Sequence, residues 1–230
     1  MDKKNGFFLV NKPSGISSYD VIREFKKEFP GAKLGHTGTL DPAASGLLIV
    51  LMGKMCKEQS KFMGLSKEYR AKIVFGLVSD TYDLEGKVRI SNGSDLFEKL
   101  SLLNRKKVEK ALAFFGKGYL QTVPAFSAVK RKGKPLYKLA RRGEEIKNLP
   151  QKEVRIEEIK VVDFKEAVFP QVEILMKVAK GFYVRSLAFD LGEKLRVGGV
   201  LAELVRTKIG GFSVEQAIGL KDIPASEDQI

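Results

Sequence analysis

Cysteine and histidine each occur once in this chain, and tryptophan does not occur at all. The lone Cys56 excludes a disulfide framework within the chain and any cysteine-rich zinc site. Lying just after an apolar run, it reads as a half-buried structural thiol. With His36 the only histidine, every two-histidine metal motif is excluded and no histidine pair is available for relay chemistry. No metal site is expected. No apolar run approaches the roughly 18 residues that a membrane helix requires, and the stretch MDKKNGFFLVNKP is too short in apolar residues for a signal peptide. These absences predict a soluble protein of the reducing cytoplasm with no membrane partner.

Nucleotide-binding and hydrolase signatures are missing as well. Residues 46–54 end in Gly-Lys, but the spacing is wrong for a phosphate loop and Met55 stands where Ser or Thr is required. No GxGxxG follows a strand-like run, so a dinucleotide fold has no support. No GxSxG elbow occurs, and Asp41 precedes proline rather than the Thr-Gly or Ser-Gly of an aspartic protease. Asp80, Asp83 and Glu85 lie close together, yet a turn uses aspartate for backbone bonding just as readily as a metal site would use it.

What is abundant is positive charge. Lys and Arg total 41 against 28 Asp and Glu, a formal excess of +13 with a pI near 9.7. Such an excess attracts polyanions, most commonly nucleic acid; a lysine-rich surface kept for solubility is the bland alternative. The excess concentrates in residues 119–152, where Lys130, Arg131, Lys132, Lys134, Lys138, Arg141, Arg142, Lys147 and Lys152 face only Glu144 and Glu145. Tyr119, Phe126 and Tyr137 interleave with them. Charge mixed with stacking faces suits a nucleic-acid surface, and its one-sidedness favours that reading over a solvated loop.

Hydropathy patterning predicts strands and helices in irregular alternation. Residues 7–10 form a short apolar run stopped by Asn11-Lys12-Pro13 and read as a strand. Ser17 or Ser18 caps a helix that carries Val21, Ile22, Phe25 and Phe29 at helical spacing and ends at Pro30-Gly31. Residues 47–52 read as a buried strand and 54–63 as a helix. Residues 68–75 alternate with period two, 80–83 make a turn, and 105–115 form a helix. Strands return at 154–164 and 171–179, a helix at 184–195, and a last strand-like run ends at Ile209. Hairpin-like pairs without regular βαβ units predict an α+β fold, a mixed and mostly antiparallel sheet flanked by helices and loops. Without an internal repeat or low-complexity linker, residues 1–230 read as one continuous domain.

One carboxylate is placed for chemistry. Residues 35–42 read GHTGTLDP, and the apolar run SGLLIVLMG follows at 45–53. Asp41 thus sits on a turn bracketed by Gly35, Gly38 and Pro42 at the mouth of a buried strand. A rigid loop that delivers an acid to the edge of a core is a typical seat of catalysis.

Four separated segments carry a resemblance to a known family. They are Lys12-Pro13 with Gly15 and Ser17-Ser18; residues 35–42 with Ser45-Gly46; Lys67-Glu68-Tyr69; and Lys180-Gly181-Phe182-Tyr183-Val184-Arg185 followed by Asp190-Leu191-Gly192. In kind and in order these resemble the motifs of the TruB family of tRNA pseudouridine synthases. Residues 123–130 (VPAFSAVK), 133–137 (GKPLY) and the closing Leu204, Arg206 and Gly210 add to the likeness. Phe182 departs from it, standing where the family usually has Thr. Many members continue into a small C-terminal RNA-binding module, the PUA domain; this chain stops soon after Ile218, so no complete PUA domain is expected.

The resemblance implies the pseudouridine synthase fold and an isomerisation of uridine to pseudouridine without an added cofactor, at position 55 in the T loop of tRNA. The C1′–N1 bond breaks, the uracil turns, and C5 joins C1′. Asp41 is the implied catalytic carboxylate, attacking the nucleotide or assisting loss of the C2′ proton, in partial analogy to glycoside cleavage. Arg185 is expected to hold it ionised through two parallel hydrogen bonds, and Tyr69 to stack on the uracil and handle protons. His36, Lys12, Tyr183, Leu204, Arg141 and Arg142 are the expected substrate-binding residues. Among them Leu204 forms an apolar wall, His36 stacks to hold the flipped loop, and Lys12 supports the catalytic loop or the RNA backbone. A stacked uridine must first be flipped out, at a cost of roughly a few kcal/mol, so the basic segment at 119–152 is expected to clamp the T stem-loop. The chain is expected to act as a monomer. A non-catalytic tRNA-binding folding helper, the same chemistry on another RNA, or a metabolic isomerase or glycosidase are the alternatives.

Overall fold

The computed structural model describes residues 5–224 apart from positions 117, 132, 145 and 147. Along the chain run β1 (Gly6–Lys12), α1 (Ser18–Glu28), β2 (Leu34–His36), β3 (Ser45–Met52), α2 (Gln59–Gly64), β4 (Lys67–Phe75), β5 (Leu77–Val78), β6 (Arg89–Ile90), α3 (Leu96–Ser101) and α4 (Arg105–Ala113). They continue with β7 (Tyr119–Thr122), β8 (Lys130–Arg131), β9 (Lys134–Pro135), α5 (Leu136–Ala140), β10 (Gln151–Val154), β11 (Ile156–Lys165), β12 (Gln171–Val178), α6 (Val184–Leu195), β13 (Gly199–Ile209) and β14 (Phe212–Ser213). The helix expected at 54–63 begins as a 3₁₀ turn over Gly53–Glu58 before α2. Two compact units divide the chain, the first holding the described residues up to Arg70 and from Leu204 onward, the second Ala71–Glu203.

In the first unit, β3 is apolar on both faces because both faces are covered. Leu48, Val50 and Met52 pack with Val21, Ile22, Phe25 and Phe29 of the α1 region, while Leu47, Ile49 and Leu51 pack with Ile209 and the half-buried Met55, Phe62 and Phe212. A continuous hydrophobic run is what a strand buried on two sides requires. β1 pairs antiparallel with β3 from Gly6↔Met52 to Lys12↔Gly46, and β2 also pairs antiparallel with β3, along its C-terminal end, His36 opposite Val50. β13 lies parallel to β3 at Val205↔Ser45 and Arg206↔Gly46. Helix α1 starts where Ser17 and Asp20 form a reciprocal capping box, which satisfies two otherwise orphan N–H groups.

In the second unit, β11 and β12 form a long antiparallel pair with two register shifts. Helix α4 lies on β11, where the Arg105 guanidinium donates to Val161 O and Val162 O. Helix α6 packs against α4 and against β7. Among the described residues, no helix is long and apolar enough to cross a membrane. The architecture is α+β with a mixed sheet, as the patterning predicts.

Candidate active site

The loop between β2 and β3 carries Asp41, and its main chain is tied from one flank by the segment after β1. Ser18 Oγ donates to Leu40 O at 3.0 Å and accepts from Leu40 N at 2.8 Å. Gly15 N donates to Pro42 O at 2.8 Å, Ser14 Oγ to Ala43 O at 2.8 Å, and Ala44 N closes the turn onto Asp41 O at 3.1 Å. Lys12 is 0% exposed. Its ammonium donates to Pro13 O at 2.8 Å, Ile16 O at 2.7 Å and Pro42 O at 3.3 Å. A buried charge ending on backbone carbonyls ties one loop to another, which favours loop support over RNA contact for this lysine.

Arg206 of β13 ties the loop from the opposite flank. Only 1% exposed, it donates from Nε to Leu47 O at 2.7 Å and from Nη2 to Gly38 O at 3.1 Å, so one planar fork spans both ends of the loop. Gly46 makes that approach possible. Its φ is +102°, and a Cβ there would lie 2.3 Å from the Arg206 carbonyl oxygen, which only glycine avoids. Asp41 itself is half-buried. With the carbonyls of residues 38, 40, 41, 42, 43 and 47 all engaged, its side chain projects from a fixed platform.

His36 ends β2 and is half-buried, its carbonyl accepting from Gln59 Nε2 at 2.7 Å. Burial, and secondly the Arg206 charge, push its pKa below the ordinary histidine value, so the ring is neutral at neutral pH. Its Nδ1 is buried with no hydrogen-bond partner among the described residues. Tyr69 is 9% exposed on β4, and Leu204 is half-buried on β13. Lys67 has a structural placement, its ammonium closing the end of α2 on Met63 O and Leu65 O.

The second unit holds Arg185, Tyr183, Arg141 and Arg142. Arg185, in the first turn of α6 and 6% exposed, donates from Nη1 to Thr81 O and from Nη2 to Phe126 O, each at 3.0 Å. Its Nε lies 3.6 Å from Asp83 Oδ2. The other Asp83 oxygen accepts from Glu85 N at 3.1 Å and from the Thr81 hydroxyl. Asp83 therefore serves its turn, as the sequence suggests, and also braces Arg185. Just ahead of Arg185, the Tyr183 main chain is held on both sides by Gln121: Tyr183 N donates to Oε1 at 2.9 Å and Nε2 donates to Tyr183 O at 3.0 Å.

The basic segment is an excursion whose two ends are joined. It leaves on β7 and returns on β10, paired from Tyr119↔Val154 to Thr122↔Gln151. Lys130, Arg131, Lys134, Lys138, Arg141, Arg142 and Lys152 are exposed, and the Arg141 guanidinium lies 5.6 Å from the centre of the Tyr137 ring. Lys132, Glu145 and Lys147 lie outside the described residues. Tyr119 turns inward instead, with Phe115 at 4.8 Å and Phe182 at 6.4 Å, both edge-on. Phe182 in place of the usual Thr thus has a packing partner in Tyr119.

Residues 26–184 match the sequence profile of the TruB family pseudouridylate synthase (N terminal domain). The chain belongs to the TruB family. It is 39% identical over 224 residues to the tRNA pseudouridine synthase B of Aquifex aeolicus, covering 97% of this chain and 75% of that protein. It is 42% identical to that of Clostridium tetani, covering 95% and 72%, and 39% identical to that of Endomicrobium trichonymphae, covering 97% and 93%. Among solved structures, one chain of a Cbf5-Nop10-Gar1 complex superposes with a TM-score of 0.70 at 26% identity. The match covers 95% of this chain and 53% of that one, so this chain spans about half its length. The motif resemblance raises an expectation for Asp41, Tyr69 and Arg185, and none of a role for Arg206 or Gln121. Both act on backbone carbonyls and amides, which carry no residue-specific signal.

Proposed function

We propose that this chain isomerises uridine to pseudouridine in tRNA, at position 55 of the T loop, working as a cytoplasmic monomer with Asp41 as the catalytic carboxylate. The observation that carries this reading is the Asp41 loop, pinned by Lys12 and Ser18 on one flank and Arg206 on the other. Family membership and relatives named tRNA pseudouridine synthase B over more than nine-tenths of the chain support the activity.

In this reading the uridine is extruded from the T loop, its lost stacking offset by phosphate contacts to Arg141 and Arg142 and by a base stacked on Tyr69. The C1′–N1 bond breaks and Asp41 meets the change at the sugar, either by bonding to the nucleotide or by assisting loss of the C2′ proton. After rotation, C5 bonds to C1′. The C5 proton is then lost and N1 gains one, so atoms and charge balance. Arg185, fixed by Asp83, Thr81 O and Phe126 O, supplies a positioned cation to the reaction. Leu204 closes the apolar side of the base pocket, and the neutral His36 ring stacks within the opened loop.

Tritium release from a tRNA transcript labelled at uridine C5 tests the proposal. The native chain is expected to release tritium and to yield pseudouridine at position 55, whereas Asp41→Asn releases none. Release by neither, with tRNA binding intact, would leave a non-catalytic tRNA-binding helper; product at another position would move the substrate to a different RNA site.

A further inference from the structure

A buried polar chain in the second unit is used by none of these steps. Gln121 is 1% exposed, and all three of its amide bonds are to named partners: Tyr183 N onto Oε1, and Nε2 onto both Tyr183 O and Tyr119 Oη, the last at 2.6 Å. The directions of these bonds follow from one group. The Tyr183 N–H can only donate, so the amide oxygen faces it and both amide protons point to Tyr183 O and Tyr119. Tyr119 Oη is then an acceptor from Gln121, and its own proton must go elsewhere. The Asp190 carboxyl, close enough to act on the Tyr119 hydroxyl electrostatically, is the acceptor on offer. Asp190 lies on α6, five residues beyond Arg185, so the row of groups starts at Tyr183, just ahead of the helix, and leads back to the helix farther along.

This set of polar groups is costly to bury. Asp190 Oδ2 is buried with no hydrogen-bond partner among the described residues. Such a group persists when its geometry is required elsewhere. We infer that Asp190, Tyr119 and Gln121 form a positioning relay that fixes the Tyr183 main chain at the start of α6 and so sets the direction from which Arg185 serves the reaction. The inference rests on the proposed role of Arg185. Ser186 Oγ adds a parallel tie from the same turn of α6 to Thr122 O at 2.8 Å, which keeps α6 on β7 when one relay bond is removed.

Single-turnover pseudouridine formation and tRNA affinity, measured together on five variants, test it. Arg185→Ala is expected to abolish product formation; a full rate would remove Arg185 from the reaction and the relay with it. With Arg185 essential, Gln121→Leu, Tyr119→Phe and Asp190→Leu are each expected to lower kcat about 10- to 100-fold, the cost of a misplaced group, with KM and tRNA affinity unchanged. Asp190→Asn keeps an acceptor for the Tyr119 hydroxyl and is expected to restore kcat to within about threefold of native, as a relay set by hydrogen-bond direction demands. Should Gln121→Leu fail to fold, Tyr119→Phe and the Asp190 pair decide the matter. Native kcat in folded Tyr119→Phe and Asp190→Leu, a loss expressed in KM, or equal losses in Asp190→Asn and Asp190→Leu would overturn the inference.

Discussion

At the scale of single residues, the chain keeps groups whose burial works against stability. Asp190 is the clearest. Burial above all, and the Glu193 charge, push its pKa up from the ordinary carboxylate value to about 6, against a smaller downward pull from the Tyr119 hydrogen bond. The folded protein therefore binds this proton more tightly than the unfolded chain does. The sign of the linkage follows: the penalty is fully present above about pH 6 and disappears as pH falls through that value toward the unfolded pKa near 4. Asp190→Asn is thus expected to stabilise the fold at pH 7.5 by about 1–2 kcal/mol, after allowance for partial exposure, and to bring little gain at pH 4.5. Urea midpoints of both proteins at the two pH values check this, and equal midpoints at pH 7.5 would contradict it. His36 shows the same economy in the other direction, a lone histidine kept neutral by burial and by Arg206.

At the scale of elements, the Asp41 loop is held by two cations with different geometry. Lys12 gathers carbonyls at a point, whereas Arg206 spans Gly38 O and Leu47 O with its fork. Arg206→Lys keeps the charge but reaches only one of the two carbonyls. With Asp41 in its proposed role, the variant is expected to lower kcat about 10-fold or more by loosening the loop that carries it, with tRNA affinity retained and stability reduced by about 1–3 kcal/mol for the carbonyl left unsatisfied. Rapid-quench kinetics beside a thermal melt separate the two effects, and a native rate would show that Lys12 and Ser18 hold the loop alone. Much of this element was legible beforehand. The Gly-Pro bracketing of Asp41 and the two-sided apolar run of β3 both read directly from residue order. Arg206 was visible only as one residue of a closing motif, because its partners are carbonyls about 160 positions away, and every residue has a carbonyl.

At the scale of the whole molecule, the formal charge of +13 and the exposed arginines and lysines of residues 119–152 point to a polyanionic substrate. If Arg141 and Arg142 each neutralise one phosphate, replacing both with Gln should weaken tRNA binding and reduce the slope of log Kd against log salt by about 1 to 2. Filter binding across a salt series checks it; an unchanged slope would remove the segment from the interface. Composition and periodicity by themselves determined that this chain builds an α+β core, carries α1, β3, β4 and α6 near their observed limits, and offers Asp41 on a rigid turn. They could do so because helix and strand periods, turn chemistry and net charge are local or additive properties. Only the tertiary structure decided that Arg206 clamps the Asp41 loop, that Asp83 braces Arg185, and that Tyr119 turns inward to join Gln121. These are contacts between distant positions, made through backbone groups and hydrogen-bond directions that exist only once the chain has folded.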